Sequence, residues 1–414
     1  MSNNSTKPAL FWTTGKLVAA FAGTAVLLAV LASLGFGGSW LGASQGAPST
    51  LAVPSKHGLD ADLPSVIPTG TKLVIGDPTT QQVLKHTGWD KHLPFEIVWA
   101  NISGGPAVTE AFQAKALDIG SAANIPPIHA IWVGIPVKII AWRHKLEPLT
   151  FPTYVIGLSP KAEVKTLADL KGKKIAFSPG QAQGVVVLRT LAGIGLSPKD
   201  VTLVELPSTA DVYTGALVSN LVDAAPLGTA GLGTKRYIDS YGAQGARILS
   251  HGEFRDDAGI LYVRNETLED PGKAAALREY VKLWGRAAEW VEQNRKEWAR
   301  IYYVEKQGVS LQDAEYVLER SGSTQVPADW TDIIPLQQET IDFLSKHIGR
   351  ESFKAETIFD RRFERLGAEG VERYRRDAAA ATAAPAATAA RAATGAPAGT
   401  RAATATDAAA DPAR

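Results

Sequence analysis

The stretch LDIGSAANIPP, residues 117–127, decides the fold of this chain. It begins with a helix-to-strand turn at Asp118, continues as a short apolar strand, and ends in a loop where Asn124 precedes two prolines. A small, polar, proline-bounded loop after a strand is typical of a ligand site at the edge of an α/β sheet.

A second stretch follows the same design. LVDAAP, residues 221–226, also comes after a helical pattern, and Asp223 stands 105 positions after Asp118. Because the two aspartates occupy the same place in each copy, we expect both to cap the helix-to-strand turn rather than to carry chemistry.

The order of elements repeats around these two stretches. Residues 72–122 read as strand, helix, strand, helix, strand, and residues 173–225 read the same way. Strands that alternate with helices predict mostly parallel sheets with right-handed crossovers. We therefore predict an α/β fold of two similar lobes, each a sheet flanked by helices, with a cleft between them. A two-strand hinge, Thr153–Leu158 and Gly259–Val263, is expected to join the lobes.

Composition narrows the functional classes. The chain has 414 residues, 45% of them hydrophobic, which is enough for a large core. A formal net charge of +1 gives no general attraction to nucleic acid. There is no cysteine, and the histidines form no metal-binding motif. The sequence has no motif for phosphoryl or acyl transfer, so we expect no enzyme activity, no metal and no cofactor.

The N-terminal segment predicts export. Lys7 and Lys16 precede an uncharged apolar run, residues 17–34. A helix of that length, about 27 Å, nearly spans a hydrocarbon core of about 30 Å. We interpret residues 1–44 as an uncleaved membrane anchor or, alternatively, a cleaved signal peptide, with the rest of the chain outside the cytoplasm.

The predicted boundaries follow from these patterns. Residues 45–70 predict a linker. Lobe 1 comprises residues 71–156 and 259–350, including C-terminal helices, and lobe 2 comprises residues 157–258. Residues 351–376 predict a charged surface helix. Residues 377–414 are rich in Ala, Thr and Pro, lack large apolar side chains and are expected to be disordered.

The loops after the strand ends bring neutral donors to the cleft. Helix starts near Gly104, Gly180 and Ser208 also offer backbone N–H groups, which favour anions. Ser208 and Asp211 resemble a capping box. The side chains offered by these loops are Thr79, Thr80, Gln81, Ser103, Asn124, Ser178, Gln181, Gln183 and Thr229.

Two charged residues near the cleft, Asp77 and Arg143, have two readings each. Asp77 at the cleft mouth either binds a cationic group or is structural. Arg143 follows the predicted strand Val137–Trp142 and could reach an anion, but a solvated loop charge is the simpler interpretation. His129 is expected on a helix face.

Three stretches resemble the aliphatic sulfonate, nitrate and taurine solute-binding proteins of ABC importers. Gly120–Pro127 resembles a binding loop of that family, Ser103–Pro106 its loop before the second helix, and Leu167–Ala176 its DLKGKK-type entry to the second lobe. The resemblance covers about residues 70–345. It implies a type II periplasmic binding protein fold that closes on a small ligand and delivers it to a membrane permease and its ATPase.

By position, the resemblance implies a set of ligand contacts. These are Thr79, Thr80, Gln81, Ser103, Gly104, Ser121, Asn124, Ser178, Gln181 and Thr229. Asn124 departs from the family, whose members often have Asp there, and the loop after Asp223 lacks the Trp–Asp-containing segment of many sulfonate binders.

The leading interpretation is an extracytoplasmic solute-binding protein, anchored to the membrane, for a sulfonate-, taurine- or nitrate-like organic anion. A different ligand, such as a thiamine precursor, and a membrane-tethered sensor or scaffold stay as alternatives. An enzyme on the same fold, hydroxymethylbilane synthase, needs a cysteine that this chain lacks.

Overall fold

The computed structural model describes residues 56–393, with the backbone alone for Ala210 and residues 384–393. Its strands are β1 (Lys72–Gly76), β2 (Glu96–Trp99), β3 (Ile119–Ala123), β4 (Val137–Lys145), β5 (Tyr154–Leu158), β6 (Lys174–Phe177), β7 (Thr202–Glu205), β8 (Ala224–Gly228), β9 (Arg247–Leu249), β10 (Gly259–Arg264) and β11 (Thr324–Gln325). Its longer helices are α1 (Pro78–Thr87), α2 (Gly105–Gln113), α3 (Pro126–Trp132), α4 (Ala182–Gly193), α5 (Ala210–Val218), α6 (Leu232–Tyr241), α7 (Asn265–Glu269), α8 (Pro271–Gln293), α9 (Arg295–Trp298), α10 (Leu311–Ser321), α11 (Ile333–Ile348) and α12 (Leu366–Ala393). A π-helix, Ala299–Lys306, follows α9.

The strands form two sheets that repeat one arrangement. The sheet of lobe 1 has the order β11-β4-β10-β3-β1-β2, and the sheet of lobe 2 has the order β7-β6-β8-β5-β9. Taken from the same end, β2-β1-β3-β10-β4 matches β7-β6-β8-β5-β9 strand by strand. The predicted pair of similar lobes is therefore confirmed, while the exact residue boundaries between domains stay a prediction.

Both sheets are mixed, but four strands of each run in one direction, which agrees with the predicted mostly parallel sheets. β1 pairs in parallel with β2 and β3, and β6 pairs in parallel with β7 and β8. Parallel neighbours need a crossover, which the helices between these strands supply. The fourth strand of each sheet, β10 in lobe 1 and β5 in lobe 2, runs antiparallel to both of its neighbours.

The predicted two-strand hinge is wrong. β5 belongs to the sheet of lobe 2 and β10 to the sheet of lobe 1, so these strands do not bridge the lobes as a pair. The chain crosses between the sheets in residues 146–153 and 250–258, which form no strand or helix. Asp256 joins the two crossings, because its carboxylate accepts hydrogen bonds from the backbone N–H groups of Thr153 at 2.8 Å and Tyr154 at 2.7 Å.

Asp118 and Asp223 have matching structural roles, but not as turn caps. The Asp118 carboxylate accepts a hydrogen bond from the backbone N–H of Val74 at 2.9 Å, and Asp223 accepts one from Lys174 at 2.8 Å. Each aspartate thus ties the start of its own strand to a neighbouring parallel strand, β1 in lobe 1 and β6 in lobe 2. Lobe 1 adds Lys273, whose Nζ lies 2.7 Å from the Asp118 carboxylate.

The C-terminal region is more ordered than the sequence predicts. Residues 377–393 of the predicted disordered tail continue α12, because alanine has the highest helix propensity and needs no large apolar neighbour to form a helix. The start of α12 is not a surface helix either. It packs on α8, where a Cβ added at Gly285 would overlap the carbonyl oxygen of Gly367, and Val371 is buried. Residues 394–414 lie outside the described part of the chain.

The predicted linker is partly packed on lobe 1. Leu63 and Ile67 lie against the core, and Nη1 of Arg362 donates a hydrogen bond to the Ala61 carbonyl at 2.6 Å. The predicted membrane helix, residues 17–34, lies outside the described residues. Within residues 56–393, no helix is both long enough and apolar enough to cross a membrane.

Candidate functional site

A chamber of about 580 Å³ opens between the two lobes. The start of α2 supplies its lobe 1 side, and the starts of α4 and α5 supply its lobe 2 side. No charged side chain is among its described lining residues. This first chamber is lined by Ser103, Gly104, Gly105, Pro106, Ala107, Ala123, Pro126, Tyr154, Ser178, Pro179, Gln181, Ala182, Gln183, Pro207, Ser208 and Thr209.

Three helix N-termini reach the first chamber without a side-chain cap. Gly104 before α2, Gln181 before α4 and Thr209 before α5 hold the N-cap positions, and none of their side chains bonds its helix. The first N–H groups of a helix have no partner within the helix, so these ends present free donors and positive dipole ends. The predicted capping box of Ser208 and Asp211 is wrong, because α5 begins one residue later.

The start of α1 is different, because Asp77 caps it. The Asp77 carboxylate accepts hydrogen bonds from the N–H of Thr80 at 3.3 Å, from its hydroxyl at 2.6 Å, and from the Tyr280 hydroxyl at 3.2 Å. Burial, together with the neighbouring Asp77 charge, raises the pKa of Tyr280 well above its usual value. Asp77 is 2% exposed, so it is an internal cap and does not offer a carboxylate to a cation in the cleft.

A second chamber of about 430 Å³ adjoins the first and shares Ala123 and Tyr154 with it. Arg143 lines this chamber, half-buried, and no residue of the described chain forms a hydrogen bond or an ion pair with its guanidinium. The expectation of a solvated loop charge is wrong, because β4 continues through Arg143 to Lys145. If the predicted strand had been extended by the three residues from Arg143 to Lys145, its alternation would have placed this side chain on one face of the sheet.

Aromatic side chains of the π-helix form one wall of the second chamber. Tyr302 and Tyr303 line it, and the Tyr302 ring stacks on Trp298 with centroids 4.3 Å apart. Burial raises the pKa of Tyr302, an effect that the Arg143 charge opposes. Sequence reasoning missed these residues, because apolar spacing predicts a buried helical face and does not reveal the wider π turn.

The lobes touch at the rim of the first chamber. Gly180, with a φ of +77°, lies against the His129 ring, so close that a Cβ there would stand 2.8 Å from Nδ1. Gln181 lies in the same way against Gly105. Burial, with a smaller contribution from the Arg350 charge, lowers the pKa of His129 to about 4. His129 is therefore a neutral ring at the contact between the lobes, and not simply a residue on a helix face.

The structure brings six of the ten predicted binding residues to the two chambers. Those that line the first chamber are Ser103, Gly104, Ser178 and Gln181, and those that line the second are Thr79 and Ser121. Thr80 is buried against Asp77, and Gln81 lies on α1 outside both linings.

Two of the remaining predicted residues face elsewhere. Asn124 donates a hydrogen bond from Nδ2 to Gln337 at 2.7 Å, and Nε2 of Gln337 donates one back to the Asn124 carbonyl at 2.9 Å. Thr229 has a buried hydroxyl with no partner in the described chain and lines neither chamber. Ser178 lines the first chamber, but its hydroxyl donates to the Leu206 carbonyl at 2.5 Å. The binding roles of all ten residues stay predictions.

The described residues hold no group of three His, Asp or Glu side chains close enough to bind a metal ion. The donors that reach the chambers are backbone N–H groups, hydroxyls, amides and one free guanidinium. Such a set suits an anion held by hydrogen bonds.

Two sequence comparisons identify proteins that this chain resembles. The family model described as NMT1/THI5 like matches residues 101–271. A curated protein of Escherichia coli (strain K12), named for the binding of aliphatic sulfonates, is 27% identical over 248 residues, which are 60% of this chain and 73% of the relative. The resemblance to the sulfonate-binding family that the sequence predicts is confirmed.

Solved structures establish the fold. The alkanesulfonate-binding protein SsuA from Xanthomonas axonopodis pv. citri, bound to MOPS, is 22% identical with a TM-score of 0.59, and the match covers 71% of this chain and 99% of that protein. A mutant of the desulfurization enzyme DszB in complex with biphenyl-2-sulfinic acid is 15% identical with a TM-score of 0.50, and the match covers 73% of this chain and 99% of that chain. The same fold thus occurs in binding proteins and in an enzyme.

Proposed function

We propose that this chain is an extracytoplasmic solute-binding protein of an ABC-type importer, which binds a small organic anion between its lobes and delivers it to a membrane permease. The observation that carries the proposal is the convergence of three uncapped helix N-termini, those of α2, α4 and α5, on one chamber without charged side chains. The similarity to sulfonate-binding proteins supports it.

A sulfonate-like group is the anion that this arrangement suits best. Each helix N-terminus carries about half a positive charge, so three of them attract a negative group without a full cation. Three converging sets of N–H donors match the three oxygens of a sulfonate. A chamber of about 580 Å³ also leaves room for an organic body behind that group.

The partners and the location follow from the same proposal. A permease and its ATPase would receive the ligand, and the predicted helix of residues 17–34 would keep the protein at the outer face of the membrane. No catalysis is proposed. If the chain is instead a tethered sensor, a pull-down with the full chain would recover a signalling protein and no permease.

Thermal-shift measurements on the full-length chain test the binding. Methanesulfonate, propane-1-sulfonate, taurine and nitrate form the anion panel, and thiamine precursors form the alternative panel. A ligand specific for the folded state stabilises it by about 2.7 kcal/mol at a hundredfold excess over Kd. We expect a clear upward shift with at least one sulfonate, and the absence of a shift with every anion would overturn the proposal.

A single substitution separates binding from stability. Thr209→Asp places a carboxylate at the free N-terminus of α5, where it caps the helix and occupies the anion position. We expect the free protein to melt at a higher temperature while sulfonate affinity falls at least tenfold. Ser310→Asp, at the N-cap of α10 outside both chambers, is the matched control and should keep its affinity. Unchanged sulfonate binding by Thr209→Asp would contradict the placement of the anion.

A further inference from the structure

The second chamber contains six charged side chains, and its three carboxylates are all engaged by the protein itself. Asp256 accepts the two backbone N–H groups of Thr153 and Tyr154. Asp257 accepts the backbone N–H of Lys145 at 2.6 Å. These carboxylates therefore have donors of their own and do not compete for the cations of the chamber.

The third carboxylate and two of the three cations are engaged in the same way. Glu292 accepts the N–H and the hydroxyl of Thr324 at 3.0 and 2.7 Å. Arg295 donates to Glu292 at 3.3 Å and to two backbone carbonyls, and Nζ of Lys145 donates to the Phe151 carbonyl at 2.7 Å. Of the six charged groups, Arg143 alone is left without a partner among residues 56–393.

Arg143 lies across the sheet toward the first chamber. It pairs in register with Gly259 on β10, which pairs on its other side with Ala123 on β3. A Cβ at Gly259 would stand 3.0 Å from Nε of Arg143, so the absent side chain leaves the path over β10 open. The guanidinium thus extends toward Ala123, one of the two residues that line both chambers.

Two hydroxyls in the same chamber are also free. Thr79, at the start of α1, and Ser121, on β3, both line it, and neither hydroxyl has a hydrogen-bond partner within the described chain. A half-buried cation without a counterion is unfavourable by itself, whereas three free donors in one cavity suit an anionic acceptor.

We propose that the ligand carries a second acidic group, bound by Arg143, Thr79 and Ser121, in addition to the anion held in the first chamber. This inference rests on the proposed function, since the first group is the sulfonate-like end. The ligand class is a bis-acidic organic anion, such as a disulfonate or a sulfonated carboxylic acid. Its uncharged body passes Ala123 and Tyr154 between the chambers.

Matched probes test the second group. Propane-1-sulfonate and propane-1,3-disulfonate differ by one acidic group, and 3-sulfopropanoate carries a carboxylate there instead. Calorimetric titration of the full-length chain should give at least one bis-acidic probe an affinity about 10- to 100-fold higher than that of the monosulfonate, the usual range for a charged hydrogen-bonded group.

Substitution of Arg143 assigns the preference to this residue. Arg143→Gln should reduce the affinity ratio between the bis-acidic probe and the monosulfonate to about one, and Arg143→Lys should restore part of it. Arg236→Gln, at an exposed arginine of α6, is the matched control and should keep the wild-type ratio. The melting temperature of ligand-free Arg143→Gln should not fall below that of the wild type, because the guanidinium has no partner to lose.

The outcomes separate this inference from the proposed function. Binding of the monosulfonate with no gain for either bis-acidic probe would overturn the second acidic group and leave the importer proposal standing. A gain that persists in Arg143→Gln would overturn the role of this chamber. No binding of any anion would overturn both proposals.

Discussion

Lobe 1 and lobe 2 share one strand order, yet they treat their helix N-termini differently. In lobe 1, Asp77 caps α1 with its own carboxylate, while in lobe 2 the equivalent helix, α4, has Gln181 at its N-cap position and no side-chain cap. A duplicated fold therefore brings four helix starts to one cleft and leaves three of them free. The number of free backbone donors in the cleft therefore depends on which helix ends the protein leaves uncapped, and not on the fold alone.

The lobes also differ in how their helices are packed. Lobe 1 carries an additional layer, in which α12 packs on α8 with direct backbone contact at Gly285 and Gly367. Most of the α5 and α6 side of lobe 2 packs instead on a small separate cluster around Tyr213 and Leu217. The helices of lobe 1 are thus more extensively packed than those of lobe 2.

Glycine substitutions in the two lobes should have opposite signs, which is the largest effect we expect. Gly285→Ala in α8 would force a methyl group onto the Gly367 carbonyl and cost about 3 kcal/mol. Gly215→Ala in α5 adds a methyl group in open space and should stabilise the protein by up to about 1 kcal/mol. Urea denaturation followed by circular dichroism measures both. Equal effects of the two substitutions would contradict the difference in packing.

Removal of Asp118 in lobe 1 or of the equivalent Asp223 in lobe 2 should show the next largest difference in stability. Asp118→Ala leaves the Val74 N–H and Lys273 without a partner and should cost about 2 to 3 kcal/mol, whereas Asp223→Ala loses one backbone partner and should cost about 1 kcal/mol. Urea denaturation compares the two variants. When Lys273→Met is also present, Asp118→Ala and Asp223→Ala should lower the free energy of unfolding by similar amounts. A remaining difference between them would show that Lys273 does not cause it.

Acidic pH should weaken the contact between the lobes at His129, and this effect on stability should be smaller than the two described above. The pKa of His129 is about 4 in the folded protein, below the usual value of about 6.5, so the unfolded chain binds the proton more readily. This contribution to stability is complete above about pH 6.5 and is lost as the pH falls toward about 4. Between about pH 7 and pH 5.5 we expect the wild type to lose about 1 kcal/mol more than His129→Gln.

The control for this pH dependence is an exposed histidine. His92→Gln should follow the wild type across the same pH range in urea denaturation, because the His92 side chain is exposed. Identical pH profiles for the wild type and His129→Gln would refute the buried neutral ring between the lobes.

The elements and their order were predictable because they depend on local patterns. Strand and helix periodicities, the repeat of Asp118 and Asp223, and the glycine-rich loop at Gly104 can all be recognised within short windows of sequence. The loops that these patterns identify carry Ser103, Gly104, Ser178 and Gln181, which line one chamber.

What could not be predicted depends on distant contacts. Asn124 is held by Gln337, 213 positions away, and no local pattern indicates that pairing. Arg143 stands at a strand end that local polarity does not distinguish from a loop. Its guanidinium lacks a partner among the described residues because Asp256 and Asp257 accept hydrogen bonds from other groups, which the sequence does not reveal.

The places of β5 and β10, the fourth strands of the two sheets, along the chain have a consequence for the synthesis of the protein. The sheet of lobe 2 uses the continuous segment from Tyr154 to Leu249, whereas the sheet of lobe 1 lacks β10, between β3 and β4, until Arg264 has been made. A nascent chain that ends before residue 259 can complete its second lobe but not its first. The lobe that begins first along the chain is therefore the last to close, and a truncated product would expose the apolar edges of β3 and β4.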